Sequence, residues 1–246
     1  MLIFNGQILP SYVRVIHVNR PLFAPSEVIS SSIIGRAGTF LFSQRLGAYT
    51  ITVHLRIEAE NKMMFRQRVR ELALFLYTEK EAPLIINDEP DKYIQAIVFG
   101  EIDVDESSVF GDVEVQFYCP DPYWYAIHDD ISTLVTAGTH TIRRSGTANS
   151  HPLILVRGQG TNGKIAIGNG DHMIEYAGDL KDGEILVFDS ELMTAFIEYE
   201  ESCFPVLNRL TNLDFIVLSP GQNLMTVTTE NITLQDITIQ ARSRWI

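Results

Sequence analysis

Cysteine and tryptophan each occur only twice in the 246 residues. Two cysteines, Cys119 and Cys203, cannot build a disulfide framework. Zinc normally takes four ligands, so a metal site is not expected either. Both are read as buried free thiols. Long apolar runs are also missing: none approaches the ~20 residues that span a bilayer, so no membrane partner is expected. The opening residues, Met1 to Val15, lack a basic n-region and are interrupted by Asn5-Gly6. That pattern is not a signal peptide and points to synthesis in a cytosol. Positive charge is scarce, with 19 Lys and Arg against 31 Asp and Glu and a formal net charge of −12. The acidity is spread over both halves of the chain. Tight nucleic-acid binding, which needs cations to neutralise phosphates, is therefore disfavoured.

The usual catalytic signatures are absent too. There is no G-x-S-x-G, no H-E-x-x-H and no C-x-x-C. Gly158, Gly160 and Gly163 spell G-x-G-x-x-G and, with Lys164, nearly a P-loop. Both motifs need a helix to start there, because its N-terminal amides hold the phosphates. Here the β-prone run Ile165-Ala166-Ile167 follows, and Ile165 stands where a P-loop has Ser or Thr. These glycines are read as a turn between strands. Asp103 with Asp105, and Asp189 with Glu191, have the two-residue spacing of one strand face and must be weighed as a glycosidase pair. Spacing selects little in so acidic a chain, and they are read as solvated charges. His54, on the polar face of a strand, has no evident partner and is read as solvated. No catalytic residue, cofactor or metal ligand is assigned.

What the chain has is core material and strands. Hydrophobic residues make up 46% and charged residues 20%, an ordinary globular balance. Tyr49 to Glu58 alternates Tyr49, Ile51, Val53, Leu55 and Ile57 with polar residues, the period of a half-buried strand. Asn61 to Tyr77 predicts one helix, with Phe65, Val69, Leu72 and Leu76 on one stripe. Arg66, Arg68 and Arg70 interleave with it and read as a solvated or subunit-facing surface. Leu84-Ile85-Ile86, a corner at Asn87–Asp91, a strand over Lys92–Phe99, a kink at Gly100 and a polar turn at 106–108 follow. Val113, Val115, Phe117 and Cys119 then alternate with polar residues until Pro120-Asp121-Pro122 stops the sheet.

Earlier, Ser26 to Gly47 is rich in Ser and Gly yet carries the apolar knot Phe40-Leu41-Phe42. A flexible loop rarely exposes two phenylalanines. An arm ordered by a partner is the favoured reading, which makes Phe40, Leu41 and Phe42 the candidate subunit interface. Residues 126–150 read as a transition with one strand near Ile131–Val135. Beyond it, eight short strands between Gly, Asn and Asp clusters predict a sandwich or jelly roll. They fall at 153–156, 164–167, 173–176, 185–188, 195–199, 215–218, 224–227 and 237–241. The fold class is thus mostly β. An α+β domain with one helix, a β-sandwich or split barrel, occupies 1–127, and a β-sandwich occupies 128–246.

The Asp-Glu-Pro corner, the Lys92-Tyr93 strand start, Phe117-Tyr118-Cys119 and Pro120-Asp121-Pro122-Tyr123 together resemble the distal tail proteins of phages with long non-contractile tails, or of prophages. Weaker signals continue through Gly183-Glu184-Ile185-Leu186, Phe188-Asp189-Ser190, Leu218 to Asn223 and Arg244-Trp245-Ile246. The resemblance implies a galectin-like second domain and a structural hub at the virion tail tip. Six copies would form a ring, and an arm in the region of Phe40 would reach the neighbouring subunit. Tail tube protein, a tail-associated tip protein and receptor-binding protein would be the other partners. DNA would pass through without being bound, which an acidic lumen suits. The alternative is a carbohydrate-binding, lectin-like protein, with Tyr123-Trp124-Tyr125 or Tyr176, Phe196 and Tyr199 as a stacking platform. For the first of these trios, anchoring a domain junction is the favoured role.

Overall fold

The computed structural model describes residues 2–106 and 109–246. Ser107 and Ser108, expected in a polar turn, lie outside them. The chain divides into two compact units, the first comprising the residues up to Ile127 together with Ile246 and the second running from His128 to Trp245.

The first unit opens with β1 (Leu2–Phe4) and β2 (Gln7–Ile8). Asn5-Gly6 does not merely interrupt a strand. Both residues have positive φ, 50° and 71°, and they turn the chain into a hairpin pairing Phe4 with Gln7. Asn-Gly favours such turns because both central residues must be left-handed. There follow β3 (Val13–Asn19), β4 (Ser26–Ser32), β5 (Thr39–Leu46), β6 (Tyr49–Glu58), α1 (Lys62–Leu76), β7 (Ala82–Ile86), β8 (Lys92–Phe99), β9 (Val104–Glu106), β10 (Phe110–Cys119) and β11 (Trp124–Ala126). The main sheet runs β2-β1-β7-β8-β10-β6-β3, with β9 on β10 and β11 on β8. Along β6 and β10 the alternating residues are buried, and the ladder pairs Phe110 with Glu58 through Cys119 with Tyr49. Gly100 (φ +84°) ends β8 rather than kinking it.

α1 starts where Asn61 Oδ1 accepts the Met64 N–H at 2.9 Å, an N-cap. It buries Phe65, Leu72, Phe75 and Leu76. Val69 is only half-buried, and Phe75 takes its place, meeting Phe4 edge-on at 6.4 Å. Phe4 in turn packs on Phe117 at 5.2 Å, so helix and sheet share one core.

In the second unit the transition expected at 126–150 contains two strands, β12 (Ile131–Leu134) and β13 (Gly138–Arg144). The rest is β14 (Leu153–Gly168), β15 (Met173–Leu180), β16 (Ile185–Asp189), β17 (Thr194–Tyr199), β18 (Ser202–Pro205), β19 (Leu210–Leu213), β20 (Gly221–Gln240) and β21 (Arg244–Trp245). The two longest, β14 and β20, pair along most of their length, and β12, β13 and β15 to β19 join them directly or through one another. The glycines at 158, 160 and 163 are therefore not a turn between strands. They lie inside β14, where β20 comes too close for side chains. A Cβ on Gly160 would stand 2.1 Å from the Asn231 carbonyl oxygen, and one on Gly163 would stand 2.3 Å from Ile232 Cγ1. Register shifts at 157/158 and 160/164 flank them, as expected of bulged strands.

Residues 215–218 also differ from expectation. Ile216 and Leu218 are buried, but only Leu218 bridges another segment, at Ser150. Side chains take the backbone groups that a ladder would have used. Arg144 donates to the Leu218 and Ser219 carbonyls at 3.2 and 3.0 Å, and Asn169 Nδ2 donates to Val217 at 2.7 Å.

Candidate assembly interface

Two features of the first unit stand out chemically. The first is the charged corner whose residues carried the family resemblance. Arg20, arriving at the end of β3, meets Asp88 and Glu89 of the corner, the latter at 3.2 Å. Lys92 Nζ closes the corner from the other side, 3.0 Å from Glu89 and 3.1 Å from Asp91. That hydrogen bond holds the exposed Asp91 carboxyl below the usual range. The guanidinium of Arg20 also lies over the Trp124 ring, 5.6 Å from its centroid. Trp124 is buried and hydrogen-bonds the Tyr49 hydroxyl, whose pKa burial pushes upward. Tyr125 stacks on Tyr93 at 5.7 Å and donates its hydroxyl to Asp121. Corner, strand start and Pro-Asp-Pro run thus converge on one lock. Trp124 and Tyr125 are committed to it and offer no open platform.

The second is the segment from Ser26 to Gly47. It is neither a loop nor part of the main sheet. Among the described residues, β4 and β5 form a hairpin that pairs only with itself. Gly47 N–H closes its base on the Pro25 carbonyl at 2.8 Å, and Arg45 meets Glu27 at 2.6 Å. Gly35 and Gly38, with φ of 85° and 83°, make its tip. Phe40, Leu41 and Phe42 are exposed, Phe42 by 68%. The sequence reading missed that Val28, Ile29, Ile33 and Ile34 join them on this surface. Spread among serines, they show no strand-face periodicity. At the tip the Arg36 guanidinium sits 4.0 Å from the Phe40 ring centroid. A two-stranded hairpin is marginal in water by itself, and this one is apolar on a large part of its surface.

The remaining candidates are dispersed. His54, read as unpartnered, stacks on His17 with centroids 5.9 Å apart and places Nδ1 4.0 Å from Glu114 Oε2. The cross-strand register supplies both neighbours, so local sequence could not show them. Asp105 lies in β9, whereas Asp103 precedes it; both border a trough with His17, His54, Asp112 and Glu114. Arg56 grips Asp112 through two bonds of 2.7 Å and lowers its pKa. Among the described residues no group of three or more His, Cys, Asp or Glu is placed to hold a metal. Asp189 and Glu191 both bind Arg242, at 2.8 Å each. Tyr176 is fully buried in the core of the second unit, so it forms no platform with Phe196 and Tyr199. Cys119 is buried and its thiol is pushed up to about 12 by burial, but Cys203 is exposed. Cys203 lies on β18, which among the described residues pairs only with β17.

Residues 8–119, from β2 to the end of β10, match the family of phage tail protein RIFT-related domains. The distal tail protein of Bacillus phage SPP1 is 23% identical over 239 residues, 95% of this chain and 92% of that one. Its crystal structure, described as a paradigm of the hub adsorption apparatus in phages infecting Gram-positive bacteria, superposes with a TM-score of 0.78 at 18% identity. The match covers 100% of this chain and 98% of that one. A chain of the activated phage p2 baseplate shares the architecture more distantly, at TM-score 0.50 and 9% identity over 96% of this chain and 92% of that one. The first unit is thus a RIFT-related phage tail domain, followed by a β-sandwich. Over nearly its whole length the chain is similar in sequence and fold to the distal tail protein of phage SPP1.

Proposed function

We propose that this chain is the structural hub of a phage tail tip, located in the virion at the end of the tail tube. Six copies close into a ring through their first units, and the β4–β5 hairpin of each reaches the next. The observation that carries the reading is that hairpin, an apolar two-stranded sheet with no partner sheet among the described residues of its own subunit. Burying one aromatic side chain stabilises by roughly 1.5–3 kcal/mol, so leaving both phenylalanines in water is costly. The contact joins two different surfaces, and heterologous contacts close into rings when the rotation permits.

The second unit is the docking module for receptor-binding or other adsorption proteins, and the tube and tip proteins meet the ring. The chain works by binding, not by catalysis. With a net charge of −12, the ring repels the phosphates of DNA passing through it. Gold-labelled antibody against this chain, applied to particles of the phage that encodes it, should mark the tail end far from the head. Label on the capsid or along the tail tube would refute the reading. A lectin role for the second unit is tested by titrating cell-wall oligosaccharides; we expect no specific affinity.

A further inference from the structure

In the second unit β18 pairs with β17 alone among the described residues, and all its residues are exposed. The ladder shows which of its backbone groups face outward. Val206 N–H donates to the Ala195 carbonyl at 3.0 Å. The register sets Pro205 opposite Phe196, Phe204 opposite Ile197 and Cys203 opposite Glu198. In an antiparallel pair, hydrogen-bonded and non-hydrogen-bonded residues alternate. Residues 202, 204 and 206 therefore bond β17, while Cys203 turns both its N–H and its C=O away from the sheet. Pro205 turns only a carbonyl outward, and an edge strand tolerates proline in that position.

The side chains beside this edge have one chemistry on each face. Phe204 and Tyr199 lie on the Ile197 side, where the core reaches the edge, and are 54% and 43% exposed. Glu198 shares the other face with Cys203, and Glu200 and Glu201 form the exposed turn between the strands. No Lys or Arg occurs from Asp182 to Asn208.

We propose that β18 accepts a short extended segment of an adsorption protein as a further strand, with a Lys or Arg opposite Cys203 and an apolar residue on each side of it. The inference rests on the docking role of the second unit given above, and names the surface and the chemistry of the partner. Strand addition draws affinity from main-chain hydrogen bonds and specificity from alternate side chains. Here the apolar residues cover Phe204 and Tyr199, aromatics of the kind that interface cores favour. The basic residue stands two strand spacings from Glu198, about 10 Å, within reach of a long cationic side chain. Further cations in the segment meet Glu200 and Glu201. A second copy of the same Glu-flanked hairpin would bring like charges together, and Pro205 stops the added ladder short. Both features guard the edge against self-pairing.

The test uses particles of the phage that encodes the chain and measures adsorption protein against tail tube protein by quantitative mass spectrometry. Cys203→Pro removes the outward amide and leaves the bonds to β17 intact. The variant chain should melt within about 2 °C of the parent, and its particles should lose adsorption protein at least tenfold. Thr133→Pro is the control at β12, the opposite end of the sheet. Ala241 N–H donates to the Asp130 carbonyl there, so Thr133 also faces outward. Its particles should lose less than twofold; a loss equal to that of Cys203→Pro would overturn the inference. Glu200→Lys with Glu201→Lys leaves the backbone alone and should cost at least fivefold, and it decides the matter if Cys203→Pro melts lower. If these variants keep their adsorption proteins, and an amine cross-linker joins those proteins to Lys164 or Lys181, docking uses another face and this inference alone falls. If cross-links reach only the first unit, the docking reading falls and the inference with it.

Discussion

Replacing Gly160 with Ala should unfold the second unit far more readily than a single added methyl would elsewhere. The built Cβ would lie 2.1 Å from the Asn231 carbonyl oxygen, 2.8 Å from Ile232 Cγ1 and 2.9 Å from Ile232 Cα. Two of these are backbone atoms of the facing strand, so no side-chain rotation relieves the clash. β14 and β20 must separate along the pairing on which the sandwich is built. Overpacking typically costs about 1–3 kcal/mol. With backbone as the obstacle, about 3 kcal/mol is expected. For a unit of this size that corresponds to roughly 10–15 °C in Tm. Differential scanning calorimetry on the full chain would read it, with Gly47→Ala as control. At Gly47 the nearest atom lies 3.5 Å away and φ is not left-handed, so Tm should move by less than about 2 °C. A Gly160→Ala protein that melts within about 2 °C of the parent would refute the reasoning that these glycines permit strand contact.

Asn61→Ala removes the cap of α1 and should cost about 1 kcal/mol in urea unfolding; restoration by Asn61→Asp would confirm the cap. A thiol reagent should modify one cysteine, Cys203, in the native protein and two in denaturant, because burial pushes the Cys119 thiol up to about 12. Burial alone would raise the Asp189 pKa, but the Arg242 hydrogen bonds and charge together with the Leu192 and Glu191 amides outweigh it and hold the carboxyl below its usual range. Its contribution is therefore present above the ordinary carboxylate value of about 4 and lost as pH falls through the lowered one. Asp130 is shifted the same way. Stability should fall between about pH 5 and pH 2, and Asp189→Asn should cost on the order of 3 kcal/mol at neutral pH while flattening that fall. Phe40→Ser with Phe42→Ser should yield monomers by size-exclusion chromatography that stay folded, since both side chains are exposed within their own subunit.

Where structure is set by local period, the sequence showed it. β6 and β10 follow their alternation residue by residue, and α1 begins at a residue whose side chain can cap it. Where structure is set by distant neighbours, it did not. Gly158, Gly160 and Gly163 look like a turn until β20 is known to lie against them. Phe215–Leu218 has the composition of a strand, yet Arg144 and Asn169 take its carbonyls from other segments. His54 gains His17 and Glu114 only through register. Cys203 resembles a core residue by composition but sits on a strand with an open edge. For the candidate assembly surface, Phe40-Leu41-Phe42 stood out as an apolar anomaly among Gly and Ser.

The most direct measurement is the mass of the full chain in solution by sedimentation or native mass spectrometry. A ring of six predicts about 167 kDa, six times the 27.8 kDa chain, with no ladder of larger species because the ring is closed. A 27.8 kDa monomer at every concentration up to the millimolar range would contradict the account.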